Sequence, residues 1–210
     1  MPMEEDRQAP HYPAEEHLLQ RIRRVPELTG PRVRLRPPNA EDSKNLARIL
    51  RSDMLLRKRL ARNVSLAALA LPQDGDEFRH WLRAWCEQQH AVAYAIVGPG
   101  DKALGLISLL DVNREENSAM VTYWLTSSAW GKGYGREALA ILLQHAVERG
   151  LRIFRAKVSR AETAFWGVWS ELGAHIKTGK DQDKYECELN VRNPHFDAAL
   201  ARAARAVPAN

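Results

Sequence analysis

Residues Val121 to Val147 read V-T-Y-W-L-T-S-S-A-W-G-K-G-Y-G-R-E-A-L-A-I-L-L-Q-H-A-V, and the reading of this stretch decides the fold. An apolar, aromatic strand runs into a loop carrying Gly131, Gly133 and Gly135, and the loop opens directly into a helix. Glycine lets the main chain turn tightly and lets its N–H groups approach a ligand. After Gly135, the residues Ala138, Leu139, Leu142, Leu143, Ala146 and Val147 recur at helical spacing on one face. Glu137 falls in the first turn, Arg149 in the last and Gly150 just beyond, as the helix dipole and C-cap rules favour. A helix start presents unpaired N–H groups and partial positive charge, so the main-chain amides of 131–136 are built to hold an anion, and a pyrophosphate suits them. Lys132 and Arg136 add formal positive charge.

Two phosphate-loop patterns do not fit. The P-loop needs G-x-x-x-x-G-K-[ST], whereas Lys132 lies between glycines with no Ser or Thr after it. The dinucleotide fingerprint needs its third glycine three residues after the second and an acid about 20 residues on. Gly135 comes too soon, and position 155 is Arg155. The segment W-G-K-G-Y-G-R-E-A instead resembles the acyl-CoA loop of the GNAT superfamily of N-acyltransferases (pattern R/Q-x-x-G-x-G/A), in its RimJ/RimL-like branch of ribosomal-protein alanine acetyltransferases. Trp130 stands at the first R/Q position, and Gly133 and Gly135 match the small residues. The resemblance spans about residues 32–190 and is specific at 121–139.

Composition is compatible with this. At 210 residues the chain has the length for one domain with a substantial core. Its 45% hydrophobic and 27% charged content is that of a soluble globular protein, and the polar start does not read as a signal peptide. No apolar run reaches the roughly 18–20 residues that span a bilayer. Cys86 and Cys187 have no paired spacing and no Cys/His cluster, which fits reduced thiols in a cytoplasmic protein and no metal site. A net charge of +5 suits an anionic ligand such as CoA. The basic residues are scattered rather than set in one aromatic-interleaved stripe, which argues against direct nucleic-acid binding as the main role. The oligomeric state, a homodimer included, is left open.

In chain order, residues 1–30 form an N-terminal extension, expected to pack on the domain or to stay partly ordered, in which His17, Leu18, Ile22 and Val25 share a helical face. V-R-L-R at 33–36, stopped by Pro37 and Pro38, predicts a first edge strand. Asn39 or Asp42 can cap a helix whose face is Leu46, Ile49 and Leu50. A basic, leucine-rich piece at 51–70 and a helix over about 76–89 with Phe78, Trp81, Leu82 and Trp85 follow; the resemblance makes them the lid over the acyl acceptor. Strands are expected at 91–97, 103–112 and 119–126, then at 153–158 parallel to the third of these by a right-handed crossover. A helix over 161–172 and a hairpin of 174–178 with 185–191 close the domain. His90 and His145 read as surface or partly buried polar positions. The division is thus an extension (1–30), an acyltransferase domain (31–191) and a tail or short helix (192–210), in which Phe196, Leu200 and Ala204 share a face.

The order β-α-α-β-β-β-α-β-α-β-β matches the α/β (α+β) GNAT fold that the resemblance implies: a mixed, mostly antiparallel sheet with flanking helices. In it the fourth and fifth strands splay and pantetheine pairs along the gap; the main chain of Leu125 and Thr126 would serve there. With Trp130, Gly131, Lys132, Gly133, Tyr134, Gly135 and Arg136, these form the expected acetyl-CoA site. Acetyl transfer to an amine needs a neutral amine, a polarised thioester carbonyl and a stabilised thiolate. The family draws its acid from a Ser or Tyr on the helix after the fifth strand. Here Glu162 stands at its usual Asn, Phe165 at its Ser, Trp169 at its Tyr and Met120 at an early strand carboxylate. Phe and Trp have no hydroxyl proton to give. Glu162 is the first candidate base, although an acid at a helix start also serves as a cap; Ser159, Thr163 and Tyr123 are the others. The resemblance implies an N-acetyltransferase whose acceptor is the amine of a protein N-terminus or a small molecule. The lost hydroxyl positions leave a non-catalytic CoA-binding sensor or scaffold as the alternative.

Overall fold

The computed structural model describes residues 14–23, 27–62, 71–181, 183–193 and 196–204. One eight-stranded sheet organises them, in the order β1-β2-β3-β4-β5-β6-β8-β7. Its strands are β1 (Leu28–Thr29), β2 (Arg34–Arg36), β3 (Val92–Gly98), β4 (Lys102–Asn113), β5 (Ser118–Leu125), β6 (Ile153–Ser159), β7 (His175–Thr178) and β8 (Lys184–Asn190). Every neighbouring pair is antiparallel except β5 and β6, which the helix α5 (Tyr134–Glu148) connects as a parallel crossover.

β3 reads A-Y-A-I-V without polar residues because both faces of the sheet are covered. Val92, Tyr94 and Ile96 enter one apolar layer with α5, α1 (Ala14–Arg23), α6 (Thr163–Glu171) and α7 (Phe196–Ala204). Ala93, Ala95 and Val97 enter the other with α2 (Ala40–Ser52), α3 (Met54–Leu60) and α4 (Gly75–Gln88). The period-two alternation of a strand sorts them. α2 starts at Asn39, whose side chain accepts from Asp42 N while the Asp42 carboxylate accepts from Asn39 N, so both expected caps act as one capping box. In α4, Phe78 and Leu82 are buried, whereas Trp81 and Trp85 are half-buried and stack on each other.

Two expectations change, at β2 and at His145. β2 is not the edge, because β1 pairs outside it. Leu18, Leu19 and Ile22 of the extension lie in the main core, so α1 packs on the domain, the first of the two expected readings; the side chain of His17 and all of Val25 lie outside the described residues. The anchor of α1 is the Ile22 carbonyl, which accepts from the Tyr94 hydroxyl at 2.8 Å and stands 3.0 Å from His145 Nε2. His145, expected at the surface or partly buried, is 4% exposed, and burial lowers its pKa. Within the tail the expected short helix is α7; Phe196 and Leu200 are buried, and α7 packs along α5. Both cysteines are free. Among the described residues no helix is long and apolar enough to cross a membrane, and no cluster of His, Cys, Asp or Glu could hold a metal ion.

Candidate active site

The loop before α5 is shaped by its glycines. Gly133 is the N-cap, with φ of 78°, and Gly131 has φ of 72°, both in the left-handed region that side chains resist. Gly135 is needed for another reason: a Cβ there would stand 3.0 Å from the Tyr123 ring. The glycine therefore lets Tyr123 lie against the helix start.

Glu137, in the first turn of α5, is completely buried. Its carboxylate accepts from Arg32 N at 2.6 Å, Val33 N at 2.9 Å and Arg32 Nε at 3.0 Å. These charge-assisted bonds fix the chain entering β2 against the helix and hold Arg32 over the loop. There the Arg32 guanidinium donates to Lys132 O and stacks 5.2 Å over the Tyr134 ring. Arg32 is thus a basic group of the loop that sequence reading missed; it lies 100 residues away, and no local signal connects the two. Arg136 behaves differently from expectation. Its guanidinium pairs with Glu171 of α6, across the cleft, and its buried Nε has no partner among the described residues.

β5 and β6 pair only where Ser118–Met120 faces Ile153–Arg155, although β5 continues to Leu125 and β6 to Ser159. These are the splayed strands, numbered one higher than expected because β1 is added. The gap opens into a cleft of about 810 Å³ lined by the glycine loop, Arg32 and the facing side of α6. The main chain at its rim differs from the expected pair. Thr126 N donates to Leu104 O, so it faces β4 and not the gap. By the alternation of an antiparallel ladder, Leu125 N faces the gap, while Leu125 O accepts from the Trp130 indole at 2.8 Å. Trp130 therefore closes the end of the strand in place of the Arg or Gln of the pattern.

Beyond Tyr123 the cleft continues into a smaller pocket, since Arg59, Tyr123, Leu125, Trp130 and Phe165 line both. Its walls include Leu56 and Leu60 of α3, Trp124 of β5 and Val158 of β6. α3 is held there by one carboxylate. Asp53 caps α3 by accepting from Leu56 N through Oδ1, and its Oδ2 accepts from the Thr126 hydroxyl at 2.9 Å and Ser127 N at 2.6 Å. Burial works against the Asp53 charge, but the bonds from Leu56, Ser127 and Thr126 outweigh it and hold its pKa below the usual value. Thr126 thus acts through its hydroxyl. Residues 63–70 of the expected lid lie outside the described residues.

Glu162 occupies the N-cap position of α6 but makes no side-chain capping bond. It is 5% exposed and aims into the pocket, where it pairs with Arg59 and lies 3.9 Å from Arg62 Nη1. Arg59 also stacks 4.7 Å over the Trp130 ring. Tyr123 stacks on Phe165 at the junction of cleft and pocket, and burial pushes its pKa well above that of a free phenol. The other hydroxyl candidates do not join it. Ser159 pairs with Lys184 in the sheet and receives the Trp166 indole on its carbonyl, and Thr163 is exposed; neither lines the pocket. Phe165 and Trp169 are core residues, 5% and 0% exposed.

The family described as "Acetyltransferase (GNAT) domain" matches residues 32–175. Among solved structures, RimJ of Mycobacterium smegmatis in complex with CoA-disulfide is 22% identical, with a TM-score of 0.68 over 86% of this chain and 94% of that one. RimL, a ribosomal α-N-protein acetyltransferase in complex with coenzyme A, is 17% identical, with a TM-score of 0.65 over 78% and 97%. MccE, a microcin self-immunity acetyltransferase in complex with acetyl-CoA and AMP, is 15% identical, with a TM-score of 0.62 over 76% and 93%. No curated protein matches the sequence. With a family match over more than half its length, on a sheet splayed beside a glycine loop, the chain belongs to the GNAT acetyltransferase family.

Proposed function

We propose that this protein is an N-acyltransferase that moves an acetyl group from acetyl-CoA to a primary amine by direct attack in a ternary complex. One observation carries the reading: a glycine loop at a helix start, a strand gap and a largely apolar pocket, which among the described residues holds one carboxylate, are continuous. The CoA and acetyl-CoA named with the RimJ, RimL and MccE structures support the choice of carrier. The residues present fit it, since Gly131 has nothing within 4 Å of where a Cβ would stand and so leaves its face of the loop open.

The amides of 131–136, with Arg32 beside them, hold the diphosphate. Lys132 and Tyr134 flank it, and Arg136 reaches it by leaving Glu171. Leu125 N is the main-chain donor at the gap. When bound, the carrier supplies an electrophilic thioester carbonyl and a thiolate leaving group. Glu162 takes the proton that the acceptor ammonium must lose. Tyr123, kept protonated by its burial, is the donor to the thiolate, in place of the hydroxyls missing at Phe165 and Trp169. The largely apolar pocket aligns the amine on the carbonyl, and orientation of this kind lowers a barrier by as much as ~7–11 kcal/mol.

A second reading, a CoA-binding sensor without chemistry, is favoured by the burial of Phe165 and Trp169 in the core at those positions. Free-thiol release from acetyl-CoA over a panel of protein N-terminal peptides and small amines separates the two. Thiol release that depends on one class of amine is expected; saturable CoA binding with no release on any amine would leave the sensor.

A further inference from the structure

Among the described residues, the charged groups lining the acceptor pocket are Arg59 and Glu162, set among Leu56, Leu60, Trp124 and Phe165. Glu162 is 5% exposed, with Arg59 in direct contact and Arg62 Nη1 at 3.9 Å, so two guanidinium groups attend one buried carboxylate. The segment they come from deepens the excess. Between Arg48 and Arg62 stand Arg48, Arg51, Arg57, Lys58, Arg59 and Arg62 against a single acid, Asp53. Asp53 is already engaged by Leu56, Thr126 and Ser127.

This arrangement restricts what can enter. An amine that reaches Glu162 shares or contests its carboxylate with Arg59, which contacts one of the two carboxylate oxygens. A monoamine with no other charge adds a third cation beside two guanidinium groups that face one carboxylate, and the repulsion between like charges disfavours it. An amine that carries its own carboxylate one side-chain length away brings a second anion, so that ammonium pairs with Glu162 and carboxylate with Arg59 and Arg62. Arg59 need not leave its seat on the Trp130 ring to do so, because its planar fork presents several donors to a carboxylate. We infer that the acceptor is an amine bearing a nearby carboxylate, and that the Arg59–Glu162 pair holds the pocket in the charge pattern this acceptor replaces. The inference rests on the transferase reading only in naming the ligand an acceptor; the ion exchange itself needs no turnover. The shared chemistry has two sources, a polypeptide N-terminus beginning with an acidic residue and a free dicarboxylic amino acid.

Calorimetry on the full-length protein saturated with CoA tests it, with four probes: tetrapeptide amides beginning with Glu or with Gln, free glutamate and free glutamine. Each pair differs only in the side-chain charge. Expected is at least about tenfold tighter binding of the acidic member of one pair, the pair naming the source. In Arg59→Gln the preference collapses toward unity, and in Arg59→Lys part of it returns. A general packing defect would weaken both members equally and leave the ratio unmoved, so the ratio is the readout. Equal affinities in both pairs, no binding of either acidic probe, or a preference that survives Arg59→Gln would overturn the inference. Thiol release from acetyl-CoA is read separately on the same probes. Selective binding without release would sink the transferase reading and keep the inference; release without selectivity would do the reverse.

Discussion

The two ends of the cleft are made differently. The proposed carrier end is main chain: consecutive residues 131–136, two with left-handed φ, at the start of a 15-residue helix. The proposed acceptor end is side chain, assembled from α3, β5, β6 and the start of α6. A backbone site is set by local conformation and tolerates different side chains, provided the glycines remain. A side-chain site depends on which elements meet, so it can be changed without touching the loop. The expected consequence is that carrier binding and acceptor chemistry can be damaged separately.

Glu162→Gln should break the acceptor end most severely. Loss of a general base costs about 10²–10⁴ in turnover, with CoA affinity unchanged. An unaltered rate would reduce Glu162 to a counter-ion for Arg59. Gly133→Leu attacks the other end. A side chain at φ of 78°, with Arg32 Nη2 3.0 Å from its Cβ, forces the loop out of shape. Strain of about 1–2 kcal/mol corresponds to a roughly tenfold or greater loss of CoA affinity, without loss of the fold. Unchanged affinity would remove the loop from the carrier site.

Asp53→Ala sharpens the comparison, because it removes the carboxylate that fastens α3 to the end of β5. A lost cap of about 1 kcal/mol should raise the acceptor KM severalfold while CoA binding stays the same. An acceptor KM that does not move would mean α3 is held by its apolar contacts alone.

The smallest effect lies outside both ends. His145 is buried and its pKa is lowered, so the unfolded chain binds the proton more readily than the fold does. Its contribution is fully present above the unfolded value near 6.5 and is lost as the pH falls through the lower folded value. The depressed pKa of Asp53 acts with the same sign, but only below 3.8. A mild acid titration from neutral pH should therefore lower Tm through the docking of α1, with His145→Gln flattening the response. A Tm that is level across this range would dissociate His145 from α1.

Legibility followed the same division. The helix faces, the capping box at Asn39 and the strand–loop–helix at 121–147 depend on neighbours in sequence, where spacing and glycine chemistry act directly. The edge strand was misassigned because β1 is two residues long and too short to show a period. His145 was misjudged because a helical residue toward α1 cannot be distinguished by spacing from one toward water. Arg32 was invisible as a site residue, since nothing near it in sequence points to the loop, and Arg59, although inside the expected lid, could not be matched to Glu162 from spacing.

The sequence by itself determined the glycine loop at the start of its helix and the order of elements, because backbone turns and period are local properties. Only the tertiary structure decided the acceptor end. Which cation meets Glu162, which hydroxyl lies at the junction and which amide faces the gap are set by how α3 and α6 close over two diverging strands. Those contacts join residues 53–62, 123–130 and 158–165, and no local rule of chain conformation relates segments so far apart.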